Sequence, residues 1–169
     1  MRKKIFFVES NGISYCPICC IPLEYRDSCK RIRKLEGGTK TTLSIRRLKC
    51  PTCGKLHREL PDIITPFKHY ETSIISGVLD GVILPSDEDS EDYPCEMTMI
   101  RCHSWLLLNL LRIDGYLKSI GYRLLGFREE LLKSDVSLLE HMRSSMERWL
   151  EIVLRFIYNS GGFLVPAYT

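Results

Sequence analysis

Apolar residues recur with two different periods along this chain, and the change falls near residue 70. Toward the C-terminus Leu138, Leu139, Met142, Met146, Trp149, Leu150, Val153, Leu154 and Ile157 repeat at i, i+3, i+4 and i+7, which predicts a long amphipathic helix over 135–158. Ser134 or Asp135 caps it, and the Asn-Ser-Gly-Gly run at 159–162 stops it. Residues 113–133 are helical in character with breaks at Gly115, Gly121 and Gly126. Before them a helix begins near Glu96 and runs through Thr98, Ile100, Arg101, Trp105 and Leu108. A shorter helix over 71–80 gathers Ile74, Ile75, Val78 and Leu79 on one side and stops at Gly81. The C-terminal stripe is read as intramolecular core, because three upstream helical segments need a surface to pack on.

Before residue 70 the pattern is that of strands. Residues 4–9 read as a short strand, and 26–34 and 41–49 as a hairpin around the Gly37-Gly38 turn. Pro61 and Pro66 make 60–67 an extended connector. The fold class is therefore α+β: antiparallel β-hairpins at 1–69, followed by an all-α helical bundle at 70–169. Between the helices, 86–92 form a charged loop, turned to solvent or to a basic partner. That loop lacks the Gly and terminal Glu of a calcium site.

Eight cysteines sharpen this picture. Cys16-Pro17-Ile18-Cys19 and Cys50-Pro51-Thr52-Cys53 are two C-P-x-C knuckles with 30 residues between them, which suits one tetrahedral Zn²⁺ held by Cys16, Cys19, Cys50 and Cys53. The residue after each second cysteine needs a left-handed backbone; Gly54 suits it and Cys20 does not. Cys20 therefore stands as an alternative to Cys19, and His57, with three residues between it and Cys53, as an alternative nitrogen ligand. Cys29, Cys95 and the Cys102-His103 pair match no metal spacing and are read as ordinary thiols. With so few apolar residues at the N-terminus, that region is expected to unfold when stripped of metal.

Charge is divided as unevenly as hydropathy. Residues 1–70 hold 15 basic and 6 acidic groups, the remainder 9 and 15, so a +9 head precedes a −6 body. A four-thiolate zinc site brings the head to about +7. Arg26, Lys30, Arg31, Arg33, Lys34, Lys40, Arg46, Arg47 and Lys49 are placed on the outer face of the hairpin as a phosphate-binding footprint. Tyr15, Tyr25 and His57 either stack on bases or cap the metal site. The apolar run 5–8 is too short for a secretory signal, and 105–108, no run being longer, is too short for a membrane span. The expected setting is the reducing cytoplasm. Four sulfurs leave no open coordination position, and no acidic triad or phosphate-cradling glycine loop is present, so an enzyme is not expected.

The string R-R-L-K-C-P-T-C-G-K-L-H-R-E-L-P-D-I-I-T-P-F-K-H-Y within residues 45–70 resembles an uncharacterised family of small bacterial zinc-ribbon proteins. Those proteins look like transposase-associated DNA-binding modules of mobile elements. The resemblance implies a zinc ribbon followed by a helix-turn-helix over 71–108, with 94–105 as recognition segment and Glu96, Thr98 and Arg101 toward the groove. The connection between those helices is longer and more acidic than such a pair normally carries. The function expected is that of a DNA-binding accessory or regulatory protein of a mobile element, with duplex DNA and a transposase as partners. Two rivals are an adaptor whose helical half docks a transposase or polymerase subunit, and an RNA-binding ribbon.

Overall fold

A computed structural model describes residues 4–87 and 94–166 of the chain, with the side chains of 120–124 left undescribed. It shows a mixed α+β arrangement in which a small sheet precedes a helical region. The strands are β1 (Ile5–Val8), β2 (Glu24–Lys34), β3 (Lys40–Lys49) and β4 (Leu56–Arg58). The helices are α1 (Thr72–Leu79), α2 (Glu96–Leu124), α3 (Glu129–Lys133), α4 (Leu138–Ser145) and α5 (Trp149–Asn159). Among the described residues no helix is long and apolar enough to cross a membrane.

β2 and β3 form the expected hairpin, in register at Cys29↔Ile45 and Arg31↔Leu43, and Gly37 takes the turn at φ 76°. The first strand departs from expectation. β1 runs parallel to β3 (Val8↔Ile45), and β4 continues the same edge antiparallel (Leu48↔His57). A parallel neighbour requires a long connection, and residues 9–39, which carry the first knuckle and β2, provide it. Side chains paired across strands share a face, so Val8, Cys29, Leu43 and Ile45 point together, onto Leu60, Ile63 and Ile64 of the connector. This core is small; Leu43, Ile45 and Ile64 are its buried members.

The main core is helical. Trp105, Ile113 and Leu117 of α2 are fully buried against Ile75 and Val78 of α1, Leu138, Leu139 and Met142 of α4, and Trp149, Val153 and Ile157 of α5. Two helix boundaries differ from the sequence reading. α2 runs unbroken through Gly115 and Gly121. A mid-helix glycine costs about 1 kcal/mol of propensity, less than burial of the opposite face returns, and beyond Gly115 there is open space. Only Gly126, at φ 67°, lies at a real stop.

The helix expected over 135–158 is two helices. Its cap is Ser137, not Ser134 or Asp135: the Ser137 hydroxyl accepts from the Glu140 N–H and donates to Asp114, whose Oδ1 also takes the Leu139 N–H at 3.0 Å. The interruption follows Ser144 and Ser145, whose hydroxyls both donate to the His141 carbonyl (3.0 and 2.6 Å) and compete with the helical ladder. Met146 is then extended, at φ −136° and ψ 121°, before α5 begins.

Candidate metal centre

The two knuckles are built alike. Cys16 and Cys50 each donate their N–H five residues ahead, to the carbonyls of Ile21 (2.9 Å) and Lys55 (3.0 Å). Cys20 and Gly54 each donate back to the carbonyl of the first cysteine, at 2.8 and 3.0 Å. These bonds close each turn and require a left-handed residue after the second cysteine. Gly54 meets that at φ 70°, and Cys20 adopts it too, at φ 55°. The left-handed position is thus Cys20, which leaves Cys19 to face the other sulfurs.

β3 delivers Cys50 beside Cys16, and the sulfurs of Cys16, Cys19, Cys50 and Cys53 all lie within 4.8 Å of one another. Zn–S bonds of ~2.3 Å in a tetrahedron set sulfurs ~3.8 Å apart; Cys16 and Cys53 stand at 3.8 Å. The four residues therefore fit one metal ion such as zinc. His57 is not in the four-sulfur group; its Nε2 lies 3.8 Å from the Cys16 sulfur, at the edge of the site.

Local electrostatics prepare these sulfurs for a cation. The backbone N–H of Cys53 points at the Cys50 sulfur (3.4 Å) and, against its burial, draws that thiol down to about 7. Burial pushes Cys16 up, but the N–H groups of Cys19 and Ile18 outweigh it and leave it lowered. Burial, with the neighbouring Cys53, Cys50 and Cys16, pushes Cys19 up to about 12. Backbone N–H groups thus favour the thiolate at Cys50 and Cys16, and burial opposes it at Cys19.

The nine basic residues expected on one outer face do not share one, because strand alternation and a register shift between Tyr25 and Asp27 divide them. Several are paired. Arg46 forks onto Glu59 (2.6 and 2.9 Å) and reaches Glu9 at 2.6 Å; Arg47 forks onto Asp27 at 2.5 Å. Arg33 pairs with Glu71, and Arg26 lies 3.9 Å from Asp27. Lys34 sits 4.6 Å over the Tyr70 ring. Among the described residues, Lys30, Lys40 and Lys49 have no carboxylate partner.

Arg31 differs from the other arginines. Half-buried, it donates Nη2 to the Lys68 carbonyl at 2.8 Å, and its buried Nε has no partner. Burial, and then the like charge of Arg58, pull its pKa down. Lys68 in turn reaches the Arg101 carbonyl at 3.4 Å. Arg58 and Lys68 escaped the sequence reading. The clue was parity: Arg58 pairs with Arg47 on β3 and so shares the face of Arg31. Thr98 pairs its hydroxyl with the Cys95 sulfur (3.3 Å), and both it and Arg101 belong to the first turns of α2.

The profile of one family, described as Domain of unknown function (DUF6431), matches residues 16–102, from the first sulfur of the site to the buried Cys102. No curated protein and no solved structure matches the chain.

Proposed function

The chain belongs to the DUF6431 family, and from the sulfur cluster and the cations beside it we propose a non-catalytic zinc-ribbon module that binds a polyanion, duplex DNA first. In this reading Cys16, Cys19, Cys50 and Cys53 hold one Zn²⁺. Four thiolates fill a tetrahedron, so the ion has no position left for water or substrate and its contribution is to folding.

One observation carries the binding reading: Arg31 is half-buried beside Arg58 with no carboxylate to offset it. Like charges held together destabilise one another, and a phosphate would relieve that repulsion. The arginines paired with Glu59, Asp27 and Glu71 hold the sheet together and are not counted as contacts. Arg31, Arg58 and Lys68 are. The resemblance of residues 45–70 to mobile-element proteins selects duplex DNA among polyanions, and makes an accessory role beside a transposase the setting.

Binding of the zinc-loaded chain to duplex DNA, measured across salt, tests this. Affinity should fall steeply with salt, and replacing Arg31, Arg58 or Lys68 with Ala should each lower the log–log slope by about one. Arg46→Ala should instead reduce stability. A flat slope, or no binding at low salt, would refute the proposal; preference for single-stranded RNA over duplex would move it to the RNA-binding rival.

A further inference from the structure

α2 is amphipathic on two sides. One side carries the core residues Met99, Cys102, Trp105, Leu106, Ile113 and Leu117. On the other, Met97, Ile100, Leu107, Leu108 and Leu111 are 56, 48, 67, 61 and 90% exposed. At 100° per residue these five, with Ser104, fall in a stripe roughly 100° wide. Water-facing leucines scattered singly need no explanation, but six aligned positions over four turns make a contiguous patch of a kind that monomeric proteins seldom leave bare.

We infer that this stripe is the seam of a parallel homodimer, in which α2 pairs with α2 of a second copy across a two-fold axis. Met97, Ser104 and Leu111 recur every seven residues, with Ile100 and Leu107 three after the first two, the spacing that keeps a seam facing its partner. The one polar member is already satisfied, since the Ser104 hydroxyl donates to the Ile100 carbonyl at 2.9 Å. It can enter the seam without an orphaned group.

Charge selects the occupant and its direction. Glu96 and Arg101 flank the stripe on opposite sides, five residues apart, which is the offset at which flanking residues of two parallel helices meet. Each copy would set Glu96 against the partner copy's Arg101, twice by symmetry, and among the described residues neither has an ion-pair partner within the chain. An antiparallel pair lays each flank against its own kind and leaves Arg101 with no carboxylate. The parallel pairing would bury Met97, Ile100, Ser104, Leu107, Leu108 and Leu111. Together these side chains offer on the order of several hundred Å², close to the ~800 Å² each partner contributes to a standard interface.

Sedimentation of the zinc-loaded full chain, without nucleic acid, from low micromolar to about 100 μM, reads the association directly. A mass of twice 19.6 kDa is expected. Leu107→Glu and Leu111→Glu should each weaken the dimer roughly a hundredfold or more, with unchanged circular dichroism and melting, since both side chains already face water. Glu96→Arg should weaken it and adding Arg101→Glu should restore it. A monomer throughout the range, or a dimer indifferent to Leu111→Glu, would overturn the inference, including the case where the monomer adheres to vesicles or to another protein through this stripe. A charge reversal that fails to restore association would overturn the parallel register.

Discussion

Cys20 and Gly54 are the same residue in two copies of one turn: each follows the second cysteine of its knuckle, each is left-handed, and each donates its N–H to the carbonyl of the first cysteine. A side chain in that conformation costs about 1–2 kcal/mol, part of which glycine gives back through unfolded-state entropy. Cys20→Gly should therefore stabilise the zinc-loaded protein by about 0.5–1 kcal/mol, read as a higher melting temperature. Its zinc content should stay at one per chain, and loss of metal in this variant would show that Cys20 is a ligand after all.

The sheet should depend on the metal far more than the helices do. Its own core has three buried members, Leu43, Ile45 and Ile64, whereas α1, α2, α4 and α5 enclose two fully buried tryptophans and a dozen aliphatic neighbours. Structural zinc in small domains supplies roughly 10–16 kcal/mol of apparent binding energy at neutral pH. Chelation, or Cys50→Ser, should abolish amide protection in β2 and β3 and leave α2 and α5 protected in a hydrogen-exchange measurement. Sheet protection that survives chelation would count against a structural metal.

What could be read from the sequence, and what could not, divides along the range of the interactions. The x₂ cysteine spacing and the Gly37-Gly38 turn are local, and both predicted structure correctly. The partners of Arg33, Arg46 and Arg47 come from 13 to 38 residues away, and the Arg47–Asp27 pair adjoins a register shift at Tyr25/Asp27 that no alternation pattern discloses. The same holds for Gly115, where burial of the far side of α2 overrides a local break signal, and for Cys20, whose left-handed backbone follows from hydrogen bonds that close the turn.

Acid should loosen the sheet through its carboxylates. Burial pushes Glu59 up, but hydrogen bonds from Arg46 and Ser14 more than reverse it, and the Arg47 guanidinium holds Asp27 below the usual range. A carboxylate depressed in the folded state contributes stability that is present above its unfolded pKa of about 4–4.5 and is lost as pH falls through the folded value. Urea midpoints should therefore decline below about pH 4.5, and less steeply in Glu59→Gln, which starts lower because Arg46 has lost its fork. Equal slopes in the two proteins would show that Glu59 does not contribute to the decline.

The break between α4 and α5 places Trp149 where an unbroken helix would not. Its indole N–H donates to Asp80 Oδ2 at 2.8 Å, while Asp80 Oδ1 accepts from Arg143 Nε at 2.9 Å. Arg143 in turn donates to the Leu79 carbonyl at 2.7 Å and lies 5.4 Å over the Trp149 ring. One carboxylate at the end of α1 thus fixes the last turn of α4 and the first of α5. Asp80→Ala would leave a buried indole donor unpaired and Arg143 with the more exposed Glu140, at 2.7 Å, as its carboxylate partner, at a cost of about 1–3 kcal/mol. Asp80→Asn, which can still accept from the indole, should cost less, and Trp149→Phe in the Asp80→Ala background should recover part of the loss. Melting of the wild type, Asp80→Ala, Trp149→Phe and their combination as a double-mutant cycle measures the coupling; additive effects would mean that the hydrogen bond does not hold the break in place.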